Sequence, residues 1–468
     1  MKAPEKLLIL LLPFLIPLLV FAADFNSNQF QQQLSQLKLT KKFKNVRLGI
    51  ALAELPAGKL LFQENEEQGF MPASTIKLIL TAAALHRYPL THRFKIPVGY
   101  TGELTNGVLK GNLCLKGIGA PTITLDALKQ AVLDLKQQGL GEIQGSVLYD
   151  DFAFKPQSPR YPPFARDRWA PGGALVLNSN RIGLKIISRT PEFKFEKVPN
   201  TAYARIKAEL SYVDNNSPSS PDMRYEQTPT GDIFTLKGKV TRWTEQINYL
   251  ALGATRPGLY FATVFKELLQ ENGIKVTGKI EQQVWPAETV LLTDIPSPSL
   301  KELLLEMNTT SDNIIAENLF WKIGLDEFGP PGDAIRGGNA LKQFVGKIIS
   351  APEFVCADGS GLSPNNNIAP ATFIQLLIHI SQHIPEELPV LPVEPISTQQ
   401  YRISGKSGTL SARGINALAG FISVSGTSPQ YAFVIFAHRQ PNPSKLWSGT
   451  LTHPIAEVLL GSLGKGKK

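Results

Sequence analysis

Residues 71–86 read MPASTIKLILTAAALH, and the run from Thr75 to His86 is apolar on nearly every face except for Lys77. A helix with no polar face is buried at the centre of a domain. Just upstream, VRLGIALA (46–53) and KLLFQE (59–64) are strand-like runs joined by Pro56-Ala57-Gly58, a turn signal, and predict a hairpin feeding that helix. After residue 299 the helical period returns in LKELLLEM (300–307) and IIAENLFWKIG (314–324), while ALAGFISV (417–424) and YAFVIFAH (431–438) read as strands. Helices packed on an antiparallel sheet in which the first hairpin joins the last strands give an α+β core that is discontinuous in sequence.

The stretch between the two halves has another texture. From 96 to 295 the chain shows short β-rich segments punctuated by Gly, Pro and Asn, such as LKGNLCLKGIGAP (109–121) and QGSVLYDDFAF (144–154). This predicts an inserted β-rich region of two subdomains, with a nested one at about 180–250. Within it, 213–231 is rich in Asp, Asn, Ser and Pro and reads as an exposed loop. The core is then expected from 23–95 and 296–468. No fixed-period repeat of the solenoid kind is present.

The first 22 residues carry a basic head (Lys2, Lys6), an apolar run from Leu7 to Phe21 broken by Pro13 and Pro17, and Ala22-Ala23 at the exit. That run is short and Pro-rich for a membrane span and suits a cleaved signal peptide, 1–22, with a retained anchor as the alternative. The 468 residues, with 48 Lys+Arg against 39 Asp+Glu and a formal charge of +9, have an ordinary globular composition, which excludes disorder, collagen and a disulfide scaffold. Cys114 and Cys356 leave open one long-range disulfide or two buried thiols. The basic residues are scattered apart from Lys465, Lys467 and Lys468, which disfavours nucleic acid and suits an anionic cell-envelope polymer.

Metal and nucleotide chemistry find no seat. His379 and His383 are spaced i, i+4, but no Glu follows His379 as a zinc HExxH site requires. Gly405-Lys406-Ser407 imitates a phosphate loop, but Gln400 stands where its first Gly belongs. What stands out is Ser74-Thr75-Ile76-Lys77, because residues three apart on a helix share a face and bring an amine to a hydroxyl. Ser-x-x-Lys also occurs at Ser35 and Ser462, but only Ser74 opens a helix whose burial suits a depressed lysine pKa. Ser311-Asp312-Asn313 taken singly reads as a helix N-cap, and Ser363-Pro364-Asn365 competes with it. Lys406-Ser407-Gly408-Thr409 taken singly is a turn with a lysine.

Together and in this order, S-x-x-K, S-D-N and a K-T-G-like triplet are the signature of penicillin-recognising serine enzymes. The chain resembles the class C low-molecular-mass penicillin-binding proteins, the D-alanyl-D-alanine carboxypeptidase/endopeptidase family. PASTIKLILTAAAL (72–85), ATRPGLYFATVFKELLQENGIKVTGKI (254–280), MNTTSDNIIAENLF (307–320), DGSGLSPNN (358–366) and KSGTLSARGINALAGFI (406–422) carry that likeness. It implies a discontinuous transpeptidase/β-lactamase-like domain, an antiparallel sheet with helices on both faces, carrying the inserted region between Ser74 and Ser311. It also implies a periplasmic enzyme with no cofactor, peptidoglycan stem peptides as substrate and β-lactam antibiotics as covalent inhibitors.

By the same resemblance, Ser74 is the nucleophile and Lys77, kept neutral by burial and by Lys406, its base. Ser311 relays a proton to the leaving amine, and Asn313 orients the substrate and holds Lys77. Lys406 supplies positive potential, Ser407, Gly408 and Thr409 receive the substrate carboxylate, and the N–H groups of Ser74 and Thr409 form the oxyanion hole. Asp150 and Phe154 fall where the family's inserted domain touches the diaminopimelate side chain; a solvated turn is the plainer reading of Asp150-Asp151. Three departures stand out: Ser407 in place of Thr, which keeps the hydroxyl; Pro364 where an Arg is frequent; and Gly119-Ala120-Pro121 for Gly-Asp-Pro. A β-lactamase and an idle peptidoglycan-binding module are the competing readings. No E-x-x-L-N follows Asn313, which disfavours the first, and the complete set of polar residues disfavours the second.

Overall fold

The hairpin expected at 46–64 is present in the computed structural model, which describes residues 25–155, 171–189, 192–213, 222–241, 247–349, 354–384, 390–424, 427–439 and 450–464. Val46–Glu54 pairs antiparallel with Lys59–Glu64 on one side and with Tyr431–Arg439 on the other. Ile415–Val424 and Tyr401–Leu410 complete a five-stranded antiparallel sheet. Six consecutive residues of the first strand, 48–53, are buried because both faces of the sheet are covered. Leu48, Ile50 and Leu52 point into one cluster with Phe30 and Leu34 of the Ser27–Leu39 helix and Ile455 and Leu459 of the Thr452–Gly461 helix. Ala51 and Ala53 point the other way, toward Ile76, Leu80, Phe373 and Leu377 of the helices Ile76–Arg87 and Pro370–His383. The α+β core with helices on both faces is therefore present.

The chain leaves this core through Arg93–Thr105 and returns through Val290–Ser299, an antiparallel pair in which Arg93 faces Ser299. Exit and return are thus neighbours, the geometry an insertion needs. These strands belong to a seven-stranded sheet with Val108–Lys116, Glu142–Ile143, Val147–Asp150, Lys275–Val276 and Ile280–Gln282. Two three-stranded sheets lie between residues 181 and 253.

Two readings of this stretch need correction. Besides strands it holds two helices, Leu125–Gln137, with Leu128, Ala131, Val132 and Leu135 buried, and Pro257–Glu271. The segment read as a loop at 213–231 contains the strand Asp222–Thr228, paired in register with Gly231–Thr241. Its residues alternate between half-buried and exposed, so its polar composition reflects one open face and not the absence of a ladder. Residues 214–221 of that segment, the leader expected at 1–22 and the lysines at 465, 467 and 468 lie outside the described residues. Among the described residues both cysteines are buried free thiols, and no helix is long and apolar enough to cross a membrane.

Candidate active site

The central helix is buried from Ile76 to Ala84, and Lys77 is 0% exposed. A 3-10 turn, Ala73–Thr75, runs straight into it, so Ser74 and Lys77 fall on one face. Lys77 Nζ lies 3.1 Å from Ser74 Oγ, 2.8 Å from Asn313 Oδ1 and 2.9 Å from the Ser360 carbonyl oxygen. The shortest two of these neighbours are carbonyl acceptors and the third is a hydroxyl. Nζ donates to all three, and the Ser74 hydroxyl donates to the Ser360 carbonyl at 3.4 Å. A neutral amine can keep both carbonyls with its two N–H groups and turn its lone pair to the Ser74 O–H when the proton is to be taken. Burial, and then the nearby cation of Lys406, lower the Lys77 pKa from 10.5 to about 7, against opposing pulls from Asp358, Glu317 and Asp312.

Ser311-Asp312-Asn313 opens the helix Asn313–Phe328, and the plain N-cap reading of this triplet is also correct. Asp312 Oδ1 accepts from the backbone N–H of Ile314 at 2.8 Å and of Ile315 at 3.0 Å. That cap fixes Asn313, 5% exposed, where its side-chain oxygen meets Lys77. Ser311 sits at φ +59°, a left-handed conformation that a residue with a Cβ adopts only when its surroundings impose it.

The third element lies on the edge strand Tyr401–Leu410. Lys406 is 4% exposed, and its ammonium donates to the Ser407 carbonyl at 2.9 Å. Gly408 faces the nucleophile turn so closely that a Cβ there would stand 2.7 Å from the Ser74 nitrogen. Glycine is required for this approach. Thr409 is exposed, and its hydroxyl accepts from Asn416 Nδ2 at 3.2 Å.

Several participants were missed in the sequence. The Ser360 carbonyl comes from DGSGLS (358–363), whose Gly359-Ser360-Gly361 is too short for a G-x-S-x-G nucleophile elbow and which otherwise carries the family likeness. Asp358 folds this loop by accepting from Gly361 N at 2.9 Å, Ser363 N at 2.7 Å and Asn366 Nδ2 at 2.7 Å. Glu317 accepts from the N–H groups of Ser360 at 3.1 Å and Gly359 at 3.4 Å, which turns the Ser360 carbonyl toward Lys77. Burial and the neighbouring Asp358 push the Glu317 carboxyl up. Glu394 is buried near Lys406 and Ser407; burial raises its pKa and the Lys406 charge opposes the rise.

Asp150 and Phe154 are not brought to this group by any contact seen here, and each has a structural occupation. Asp150 accepts from the backbone N–H of Phe152 at 3.0 Å and of Trp285 at 2.9 Å. Phe154 is 3% exposed, wedged against Trp321 and facing Gly119 and Gly332.

The fold is that of the penicillin-binding serine enzymes. It matches the crystal structure of penicillin binding protein 4 (dacB) from Haemophilus influenzae with a TM-score of 0.76 at 23% identity, covering 92% of this chain and 98% of that one. A predatory endopeptidase from Bdellovibrio bacteriovorus matches with a TM-score of 0.52 at 15% identity, over 90% of this chain and 94% of that one. In sequence, the D-alanyl-D-alanine carboxypeptidase DacB of Haemophilus influenzae is 24% identical over 420 residues, 85% of this chain and 87% of the relative. The D-alanyl-D-alanine carboxypeptidase of Actinomadura sp. is 25% identical over 468 residues, covering 92% and 85%. Residues 30–445 match the D-Ala-D-Ala carboxypeptidase 3 (S13) family, and the chain belongs to it.

Proposed function

We infer that this family member cleaves the terminal D-Ala-D-Ala bond of peptidoglycan stem peptides through an acyl-enzyme on Ser74. The activity is that of a serine D-Ala-D-Ala carboxypeptidase, and the same acyl transfer applied to a cross-link gives endopeptidase cleavage. The observation that carries the assignment of residues is the contact between a buried amine, lowered to about 7, and the Ser74 hydroxyl 3.1 Å away. Neutral Lys77 takes the Ser74 proton as Oγ attacks the penultimate carbonyl carbon. As the C–N bond breaks, the leaving amine receives a proton by way of Ser311, D-Ala departs, and water then cleaves the ester.

Backbone N–H groups of Ser74 and Thr409 receive the oxyanion, each such donor contributing roughly 3–4 kcal/mol in serine hydrolases. Lys406, Ser407 and Thr409 hold the substrate carboxylate, with Gly408 giving the strand its close approach. β-Lactams, which carry a carboxylate and a strained amide, would acylate the same hydroxyl; the Bdellovibrio endopeptidase has been captured acylated by penicillin G. The leader at 1–22 would deliver the enzyme to the periplasm, where its substrate lies. The test is D-Ala release from a pentapeptide ending in D-Ala-D-Ala, with cross-linked muropeptides assayed in parallel. Wild type should release D-Ala and Ser74→Ala none; release by Ser74→Ala would overturn the assignment.

A further inference from the structure

Asp312 uses both carboxylate oxygens: Oδ1 caps the Asn313–Phe328 helix, and Oδ2 accepts from Arg181 Nη1 at 2.7 Å. Asp312 is 2% exposed and Arg181, at 25% side-chain exposure, reaches it from the far side of the inserted sequence. The aim of Arg181 is itself built. Asn178, Ser179 and Asn180 stand at φ +48°, +51° and +52°, three successive left-handed residues that turn the chain into the Arg181–Arg189 strand. The Asn178 side chain accepts from Leu125 N at 3.0 Å, the Asn180 side chain donates to the Pro171 carbonyl at 2.6 Å, and the Tyr260 hydroxyl donates to the Arg181 carbonyl at 3.3 Å. Strain of this kind persists only where the surroundings over-determine it. On the other side of the ion pair sits a second strained residue, Ser311.

We propose that Arg181 is a positioning residue for the acyl transfer: its guanidinium clamps Asp312, so that the inserted region holds the Ser311 turn and the Asn313 amide against Lys77. This rests on the reading of Lys77 as base and assigns the insertion a part in catalysis. Removing the cation leaves a buried carboxylate without its partner next to the site. The charged groups facing Lys77 are Lys406, Asp358, Glu317 and Asp312, and the last three all raise its pKa. An uncompensated Asp312 therefore moves the lysine's titration upward, whereas a purely structural strut would change stability alone.

The experiment measures the rate constant for acylation by a fluorescent penicillin from pH 5 to 9 in the whole protein, with the thermal midpoint recorded for each variant. Arg181→Ala is expected to lose about tenfold or more in rate and to shift the acidic limb upward by about half to one pH unit. Asp312→Asn keeps the cap and shifts the limb downward; adding Arg181→Ala to it moves the limb no further. Arg181→Lys, which keeps the charge but moves the donor of the single contact to Asp312 Oδ2, loses rate with an unmoved limb, and it carries the test if Arg181→Ala does not fold. An unmoved limb in Arg181→Ala, an equal shift with Asp312→Asn present, or wild-type behaviour of Arg181→Lys at every pH overturns the proposal. A wild type that takes up no penicillin at Ser74 strikes the underlying reading instead.

Discussion

Replacing Lys77 by Met tests its charge state without any substrate. In the native protein the Lys77 pKa falls from 10.5 to about 7 through burial and the Lys406 cation. Between those values the unfolded chain binds a proton that the native chain does not, so stability rises with pH across the window. At about 1.4 kcal/mol per pKa unit, and allowing for partial titration at both ends, wild type gains about 3–4 kcal/mol between pH 7 and pH 10. Below about pH 6 both states hold the proton and the contribution is flat. Met fills a similar volume but leaves Asn313 Oδ1 without the Lys77 donor and the Ser360 carbonyl with only the 3.4 Å contact from the Ser74 hydroxyl, a cost that does not depend on pH. Urea unfolding at a series of pH values, read as wild type minus Lys77→Met, isolates the lysine term. A difference that stays level from pH 7 to 10 would refute a neutral Lys77 and, with it, the base assigned to Ser74.

Lys406→Met removes the cation that lowers Lys77, so the acidic limb of penicillin acylation should move to higher pH, together with a loss of affinity for the carboxylate; an unmoved limb counts against the coupling. Gly361→Ala should cost at least about 2 kcal/mol and slow acylation, because Gly361 stands at φ +87° and an added Cβ would lie 2.0 Å from the Ala73 carbonyl oxygen and 2.9 Å from the Ser74 nitrogen. Thermal midpoint and labelling rate check it, and wild-type values for both would show that the loop yields freely.

The core was legible because its signals are local. A run apolar on all faces, a hairpin with a Pro-Ala-Gly turn and Ser and Lys spaced for one helix face each follow from a few adjacent residues. The helix Leu125–Gln137 was legible too, since Leu128, Ala131, Val132 and Leu135 repeat at helical spacing, but the β-rich segments on either side, 109–121 and 144–154, set the reading of the whole stretch. Other parts had no local signal. The Ser360 carbonyl is a backbone atom, and its direction is set by Glu317, which in sequence is an ordinary acid on a helix. Arg181 and Asp312 are separated by the whole of the nested sheets, and nothing in either neighbourhood names the other. Phe154 was carried over by likeness alone, whereas its packing against Trp321 depends on how the insertion meets the core.

Peptide mapping by mass spectrometry after a brief exposure to benzylpenicillin tests the central claim most directly. The account predicts a single penicilloyl adduct on the Ser74 hydroxyl, absent from Ser74→Ala and greatly slowed in Lys77→Met. An adduct on Ser311 or on any other residue, or no adduct on the folded wild type, would contradict it.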